Sequence, residues 1–229
     1  MIHFKISLIC CTILLVSNHI CQAGIIVNDG DFETTGGTAF TLTGTANPDV
    51  LTPSVLLNPA FGGTESLQLV GNGDPTGAAN FSQAFQDLPV GSAFANGLTI
   101  NVGDQVVLEG DVGQLSGDPL FSANVAFLEI VFVDSAGAVI FGPQFQSVGI
   151  NSTSPVDSFQ RQATAAAIVP AGASQVRFQA VFDEQSVVSG QNSGGAFFDN
   201  LEVVVTVPEP SSGLMLAAGF LAIFARRRR

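Results

Sequence analysis

The chain is predicted to be all-β: a jelly-roll β-sandwich flanked by an N-terminal signal helix and a C-terminal hydrophobic helix. Three observations predict the sandwich. Short runs in which apolar and polar residues alternate recur through the middle of the 229-residue chain. Turn-forming residues separate these runs, and none of them has the 3.6-residue spacing and caps of a helix. Short strands with frequent turns are typical of two packed antiparallel sheets.

The strand predictions follow the chain in order. Residues 66–70, 105–109 and 175–182 alternate between apolar and polar side chains, which is the period of a half-buried strand. Residues 124–133 are apolar on both faces except for Glu129, as expected of a central strand, and residues 197–205 form the last strand. Turn formers separate the runs at 72–75, 102–104, 134–137 and 170–172.

The first 23 residues have the pattern of a secretory signal peptide. Lys5 supplies the positive charge, residues 6–16 supply the apolar segment, and Cys21-Gln22-Ala23 supplies a small-x-small cleavage site. Cleavage is expected after Ala23. The expected organisation is therefore a signal peptide at 1–23, one β-domain at 24–206 and a tail at 207–229.

Removal of the signal peptide restricts the chemistry that the mature chain can perform. All the cysteines, histidines and lysines of the chain lie within it, namely Cys10, Cys11, Cys21, His3, His19 and Lys5. The chain has no tryptophan or tyrosine. Disulfides, thiol nucleophiles, histidine-dependent triads and zinc sites made of Cys and His are therefore excluded in the mature chain.

The mature domain is strongly acidic. Between residues 24 and 206 there are two cations, Arg161 and Arg177, and eighteen acids, so the formal charge is 2 − 18 = −16. Such a surface repels nucleic acid and favours solubility and uptake of divalent cations. We therefore expect no nucleic-acid partner.

The tail is the most specific feature of the sequence. A Val-Pro-Glu-Pro motif leads into an apolar run at 213–225, which is short for a membrane span, and then into four arginines. This order resembles the PEP-CTERM sorting signal of Gram-negative bacteria. The resemblance implies transient insertion in the inner membrane, cleavage by an exosortase, and an exported product at the cell surface or outside it. The sorting residues would be Val207, Pro208, Glu209, Pro210, Arg226, Arg227, Arg228 and Arg229.

Four segments of the middle, taken in order, resemble jelly-roll carbohydrate-binding modules of the cenC type. They are residues 27–33, 63–69, 169–177 and 196–201. In that family the first and last strands hold a structural calcium. The resemblance implies Glu33 and Asp199 as carboxylate ligands here, with Thr64 and Ser66 adding oxygen, which is the ligand type that calcium prefers.

The sequence departs from that family where the sugar would bind. Such modules usually stack pyranose rings on Trp or Tyr, and this chain has neither. Phenylalanines in strands are expected mostly in the core, so polar residues on one sheet face would carry any glycan that binds. Arg177 and Gln179 share the outward face of one predicted strand, and Arg161 lies on a predicted neighbour. Glu129 has two interpretations: a buried ion pair with Arg161 or Arg177, which is favoured, or a ligand contact or catalytic acid.

The leading interpretation is an exported matrix protein, not an enzyme, whose jelly roll binds polysaccharide or forms part of a biofilm or exopolysaccharide matrix. A carboxylate-based glycoside hydrolase or lyase is one alternative, because acids are the catalytic groups that remain. A self-associating adhesion or structural module is the other, with exposed strand edges and calcium driving assembly.

Overall fold

The computed structural model describes residues 21–27, 31–32, 39–44, 66–70, 80–94, 98–140, 145–185 and 194–207. The chain divides into two compact units, residues 23–205 and residues 1–22 with 206–229. The described part contains strands, turns and loops but no helix, and the all-β fold class is confirmed. The expected tail helix and residues 1–20 of the expected signal peptide lie outside the described residues, whereas residues 21–23 belong to a strand. No helix in the described part is long and apolar enough to span a membrane.

The strands alternate with turns along the whole described chain. Their bounds are β1 Cys21–Ile26, β2 Thr41–Gly44, β3 Leu67–Val70, β4 Asn80–Pro89, β5 Gln105–Gln114, β6 Val125–Val133, β7 Phe145–Gln146, β8 Ile150–Asn151, β9 Ser158–Ala163, β10 Ala167–Ile168, β11 Gln175–Glu184 and β12 Gly195–Val207. The predicted runs correspond to β3, β5, β6, β11 and β12. Strands β1, β2, β4, β7, β8 and β10 were not predicted.

Two six-stranded sheets form the sandwich. The first has the order β1-β12-β5-β10, with β3 also paired to β12 and β9 also paired to β5. The second has the order β2-β4-β11-β6-β7, with β8 also paired to β6. Neighbours along the chain are rarely neighbours in a sheet, so the pairing is largely long-range.

The core lies between the two sheets and takes alternate residues from the long strands. In the second sheet, β11 contributes Val176, Phe178, Ala180 and Phe182, and β6 contributes Ala126, Leu128, Ile130 and Phe132. In the first sheet, β5 contributes Val106, Leu108 and Val112. Complete burial of a phenylalanine or leucine stabilises a fold by about 1.5–3 kcal/mol. The odd-numbered residues of β6 and β11 therefore face away from the core.

A bulge in β12 shifts its alternation by one residue. Ala196 and Phe198 face the core before the bulge, and Leu201 and Val203 face it afterwards. The shift falls at Asn200, which has a φ of 48°, the left-handed conformation that a β-bulge commonly uses. Opposite the bulge β5 carries Gly110, because a Cβ there would overlap the side chain of Leu201.

Candidate functional site

Polar, charged and aromatic side chains are concentrated on the outward face of the second sheet. The residues that point outward from β4, β11 and β6 alternate with the core residues and include charged, amide and phenylalanine side chains. They are Phe81, Gln83, Phe85, Asp87, Arg177, Gln179, Val181, Asp183, Val125, Phe127, Glu129 and Val131. We refer to this set as the outward face.

One row of side chains crosses the outward face through its centre. The strand register places Phe85, Gln179, Glu129 and Gln146 side by side on β4, β11, β6 and β7. Gln146 donates from Nε2 to Glu129 Oε1 at 2.9 Å, and Gln179 donates from Nε2 to Glu129 Oε2. One carboxylate thus receives an amide hydrogen bond on each of its two oxygens.

This central carboxylate is buried without a cation. Glu129 and Gln179 are each 4% exposed. The domain between residues 24 and 206 has only Arg161 and Arg177 as cations, and the structure pairs both with other carboxylates. The favoured expectation of an ion pair between Glu129 and one of these arginines was therefore wrong. Neutral amides hold Glu129 in place of a charge.

The next row fixes Arg177 against the sheet. Its Nε donates to Asp87 Oδ1 at 2.7 Å and its Nη2 donates to Asp87 Oδ2 at 2.8 Å. The guanidinium carbon lies 3.8 Å from the centre of the Phe85 ring, within the range of a cation–π contact. The hydrogen bond to Asp87 raises the pKa of Arg177 above its ordinary value. Arg177 is a rigid, permanently charged group on this face.

Phenylalanines lie on this face on either side of the central row. Phe81 is 40% exposed, and Phe127 is partly exposed on β6, one row from Glu129. Strand phenylalanines are expected in the core more often than on an outer face, and Phe81 and Phe127 are exceptions. Thr43 on β2 donates to Gln83 Oε1 at 3.3 Å and extends the polar part of the face to its edge strand.

Arg161 lies on the other sheet. Strand β9 pairs with β5, not with β11, so Arg161 does not share a face with Arg177 and Gln179. Its guanidinium lies 3.4 Å from Glu109, 3.7 Å from Asp111 and 3.6 Å from Glu202. It also donates to the carbonyl oxygen of Asn200 at 3.0 Å. This cluster joins three strands and neutralises part of an acidic surface.

Two of the four expected calcium ligands are described. Glu33 and Thr64 lie outside the described residues. Asp199 is almost fully buried, and its Oδ1 accepts the N–H of Asn200 at 2.7 Å. Ser66 is 3% exposed, and its Oγ is buried with no hydrogen-bond partner. Among the described residues no group of three or more acidic, histidine or cysteine side chains could hold a metal ion.

Sequence reasoning missed several residues of the outward face. Asp87, Phe85 and Phe81 lie on β4, whose outward positions are more apolar than its inward positions, so its alternation gave no usable signal. Gln146 lies on a two-residue strand, which is too short to show a period. A polar residue opposite Glu129 could have been found only from the register of β6 with its neighbours.

Comparison with known proteins identifies the tail and gives relatives of the fold. Residues 206–229 match the PEP-CTERM protein-sorting motif, which confirms the resemblance of the tail. A search of curated proteins found no match for the chain.

Three solved structures with similar folds have low sequence identity to the chain. The enzymatically active domain of bacteriophage CBA120 tailspike protein 4 matches with a TM-score of 0.47 and 18% identity, over 79% of this chain and 21% of its own. A carbohydrate-binding module of the β-sandwich superfamily matches at 0.44 and 11%, over 77% and 62%. The CBM22-1 xylan-binding domain of Paenibacillus barcinonensis Xyn10C matches at 0.44 and 13%, over 81% and 97%. The chain thus spans less than two thirds of the first two matched chains.

Proposed function

We propose that the protein is exported, sorted through its tail, and binds an uncharged, hydroxyl-rich glycan on the outward face of the second sheet. The sorting motif at 206–229 supports export to the cell surface or beyond, with cleavage by an exosortase. Cleavage of the signal peptide after Ala23 and passage through the inner membrane belong to the same proposal. The glycan would then be an exopolysaccharide of a biofilm matrix.

Glu129 is the observation that carries the binding part of the proposal. A carboxylate buried without a cation lowers the stability of a fold, because its lost hydration is only partly replaced. An apolar residue would suit this position in a central strand better. The two amide hydrogen bonds show that the carboxylate is held in one orientation. Glu129 lowers the stability of the fold and is nevertheless held rigidly on the outward face, and binding of a ligand would explain both features.

Gln146 connects this buried carboxylate to the exposed surface. Gln146 and Gln179 each direct an NH₂ group at Glu129, so their carbonyl oxygens point away from it. Gln146 is exposed, so its carbonyl can accept a hydrogen bond from a sugar hydroxyl, and Glu129, held in turn by Gln179, fixes the orientation of this amide. Because the amides are already fixed, binding loses little side-chain entropy.

The phenylalanines supply apolar contact beside this acceptor row. Phe127 lies two residues along β6 from Glu129, a distance of about 7 Å in a strand. A pyranose ring can therefore place its C–H groups on Phe127 while its hydroxyls reach the acceptor row. Phenylalanine has no polar group of its own, so the orientation of the sugar would come from the polar row.

The charge of the outward face favours an uncharged glycan. It carries Asp87, Glu129 and Asp183 against Arg177, so its formal charge is 1 − 3 = −2. Arg177 is already bound to Asp87 on two atoms and offers little to a second anion. Uronic acid or sulfate groups would meet repulsion at such a surface.

The test is retention of the chain from Gly24 to Val207 in native gels that contain neutral or acidic polysaccharides. Loss of a hydrogen bond to a charged group costs about 1.5–3 kcal/mol, so Glu129→Gln should weaken binding to a neutral polysaccharide by about tenfold or more. Glu109→Gln is the matched control, since Glu109 lies on the other sheet, and it should bind as the unmodified chain does. Equal binding by Glu129→Gln, or stronger retention by acidic polysaccharides, would refute the proposal.

The same geometry favours binding over hydrolysis. A glycosidase needs two carboxyl groups that are free to exchange protons across a substrate. On the outward face both oxygens of Glu129 accept amide hydrogen bonds, and both oxygens of Asp87 are bound to Arg177. Neither carboxyl group is poised to donate a proton or attack a sugar.

A structural calcium ion is a second part of the proposal. The buried, unpartnered Oγ of Ser66 supports it. The register that pairs Phe198 with Leu67 also brings Asp199 and Ser66 to adjacent positions on their strands. Calcium would draw these oxygens together with Glu33 and Thr64. We expect EDTA to lower the melting temperature of the chain, and Asp199→Asn to remove the effect of EDTA. An unchanged melting temperature in EDTA would exclude the ion.

A further inference from the structure

Three of the turns that join strands meet at one end of the domain. They lie between β4 and β5, between β6 and β7, and between β10 and β11. Val90 N–H donates to the carbonyl oxygen of Ser174 at 2.9 Å, and Gly91 N–H donates to that of Ile100 at 2.7 Å. Ser174 N–H in turn donates to the carbonyl oxygen of Val133 at 2.9 Å. We refer to the described residues of this end, which are 90–94, 98–104, 134–139 and 168–174, as the neutral end.

The neutral end has little charge, although the domain has a formal charge of −16. Its charged residues are Asp104 and Asp134, and both carboxylates hold a turn. Asp104 is 5% exposed and accepts the N–H of Asn101 at 2.8 Å. Asp134 accepts the N–H groups of Ala136 and Ala138 at 2.8 and 2.9 Å. This end of the described domain can therefore approach a negatively charged surface with little repulsion.

Three exposed apolar side chains lie at the neutral end. Val102 is 53% exposed, Val139 is 57% exposed and Ile168 is 63% exposed. The first and third are close together, because Gly103 donates its N–H to the carbonyl oxygen of Val169 at 2.9 Å. Val139 lies at the end of the turn that follows β6. Exposed apolar groups gathered on a surface with little charge are typical of a site that contacts an apolar partner.

The chain leaves the domain at the neutral end. Gly195, at the start of β12, donates its N–H to the carbonyl oxygen of Asp118, which follows β5. Asn200 Nδ2 donates to Asp111 Oδ2, inside β5, at 3.0 Å. Residue numbers thus rise along β12 as they fall along β5, so β12 runs towards the first residues of β5. Val205 therefore lies beside the neutral end, and the sorting motif follows it from residue 206.

A short segment connects Val205 to the apolar run of the tail. Residues 206–212 lie between Val205 and the run at 213–225, and seven residues span at most about 25 Å when fully extended. When the run is inserted in a bilayer, the neutral end is confined close to the lipid surface. Such a tether gives an effective concentration in the millimolar range, so a surface that binds lipid only weakly becomes occupied.

We propose that the neutral end docks on the lipid surface of the membrane in which the tail is inserted. This proposal rests on the transient insertion of the tail proposed above. Val102, Val139 and Ile168 enter the interfacial layer of the bilayer, where burial of their apolar area favours the docked state. The outward face of the second sheet runs along the strands and not across their ends, so it stays open to a glycan while the domain is docked.

Fluorescence quenching by lipid tests the docking. The full chain is expressed in a Gram-negative host without an exosortase, and the exported product, which keeps its tail, is reconstituted in phosphatidylcholine vesicles. The mature chain has no cysteine, so Ser135→Cys places one fluorophore in an exposed turn of the neutral end. A quencher on the lipid headgroup should remove most of its emission. The matched label is Val156→Cys, next to Asp157, whose N–H donates to the carbonyl oxygen of the last residue of β5. This label lies at the opposite end of the domain and should keep its emission.

Charge substitutions separate docking from simple confinement by the tether. Val102→Asp combined with Ile168→Asp should lower the docked population about tenfold or more and restore the emission of the label at position 135. Ala171→Asp, at an exposed turn position, is a second variant with the same expected result. Val156→Asp is the matched control and should leave the quenching unchanged. All four positions are exposed, so the melting temperatures should match that of the parent chain.

The outcomes distinguish docking from tail insertion. Equal quenching of the two labels refutes docking through the neutral end. Unchanged quenching in both the double variant and Ala171→Asp means that the tether alone holds this end near the lipid, and it also overturns the proposal. A chain that keeps its tail but does not float with the vesicles in a density gradient refutes insertion of the tail, and docking with it.

Discussion

At the scale of single residues, Arg177 and Glu129 on the outward face have different kinds of partner. Arg177 is held by a carboxylate on a neighbouring strand, with both partners of the pair partly exposed. Glu129 is more deeply buried, and its hydrogen-bond partners among the described residues are amides. The first arrangement stabilises the sheet and fixes a cation in place. The second leaves a negative charge whose hydration is replaced only in part.

Glu129→Gln is expected to raise the stability of the fold while it weakens binding. The substitution removes a buried charge, and the exposed Gln146 can turn its amide to accept from the new NH₂ group, so the free energy of unfolding should rise by about 1 kcal/mol. Urea unfolding of both chains measures the difference. Glu202→Gln, at a partly exposed position on the other sheet, should change the unfolding free energy much less. A fall in stability for Glu129→Gln would mean that the carboxylate is needed structurally.

Asp118 gives a pH dependence of known sign. Burial raises the pKa of Asp118 above the ordinary aspartate value, so the folded state binds this proton more tightly than the unfolded state does. Its contribution favours folding below the ordinary pKa and is lost as the pH rises through the raised pKa. Asp118→Asn should therefore be more stable than the parent at about pH 7, and this gain should vanish at about pH 3. A pH-independent difference in unfolding free energy would contradict this assignment.

The sequence predicts which face a residue takes better than it predicts its partner. Alternation alone places Arg177 and Gln179 on one face, and the apolar context of Glu129 singles it out. The partners of Arg177 and Glu129 lie 90, 50 and 17 residues away. No local pattern encodes these pairings, because register is set by the packing of whole strands. The ion pair expected for Glu129 failed for this reason.

At the scale of elements, β4 and β12 depart from simple alternation in different ways. The inward positions of β4 include Ser82 and Gln86, while Phe81 and Phe85 point outward. Polar residues of β4 therefore face the core and phenylalanines face outward, which is the reverse of the usual pattern, and the strand was not predicted. The alternation of β12 is correct on each side of Asn200, but its phase changes there. The outward face and the bulge each break a local rule.

The bulge predicts an unusual preference for glycine at position 200. Asn200 has a φ of 48°, where an L-residue with a Cβ is strained by about 1–2 kcal/mol and glycine is not. Asn200→Ala and Asn200→Gly both lose the hydrogen bond to Asp111, so their comparison isolates the backbone. Asn200→Gly should unfold at higher urea concentration than Asn200→Ala. The reverse order would show that the backbone at Asn200 is not left-handed in solution.

At the scale of the whole molecule, the domain is a polyanion held together by an apolar core. Its two arginines are both engaged, one on each sheet. The two arginines can balance two of the eighteen negative charges of the domain, which leaves a net charge of −16. Mutual repulsion among these acidic groups lowers the stability of the folded state. Dissolved salt screens repulsion between exposed charges more than it affects buried interactions.

Sodium chloride should therefore stabilise the mature domain. Raising the ionic strength from about 0.01 M to about 1 M shortens the screening length from about 30 Å to about 3 Å, which removes most repulsion between separate surface acids. For a domain of this size, 1 kcal/mol corresponds to about 2–4 °C in melting temperature, so we expect a rise of several degrees in the chain from Gly24 to Val207. The measurement is made in EDTA so that no divalent cation contributes.

The control is the same salt series at about pH 4, where many of the carboxylates are protonated. The stabilisation should shrink there because there is less charge to screen. A salt effect of the same size at both pH values would assign it to preferential exclusion of the salt from the protein surface, which does not depend on the protein charge. A fall in melting temperature at neutral pH would mean that attractive charge pairs, such as Arg177 with Asp87, outweigh the repulsion.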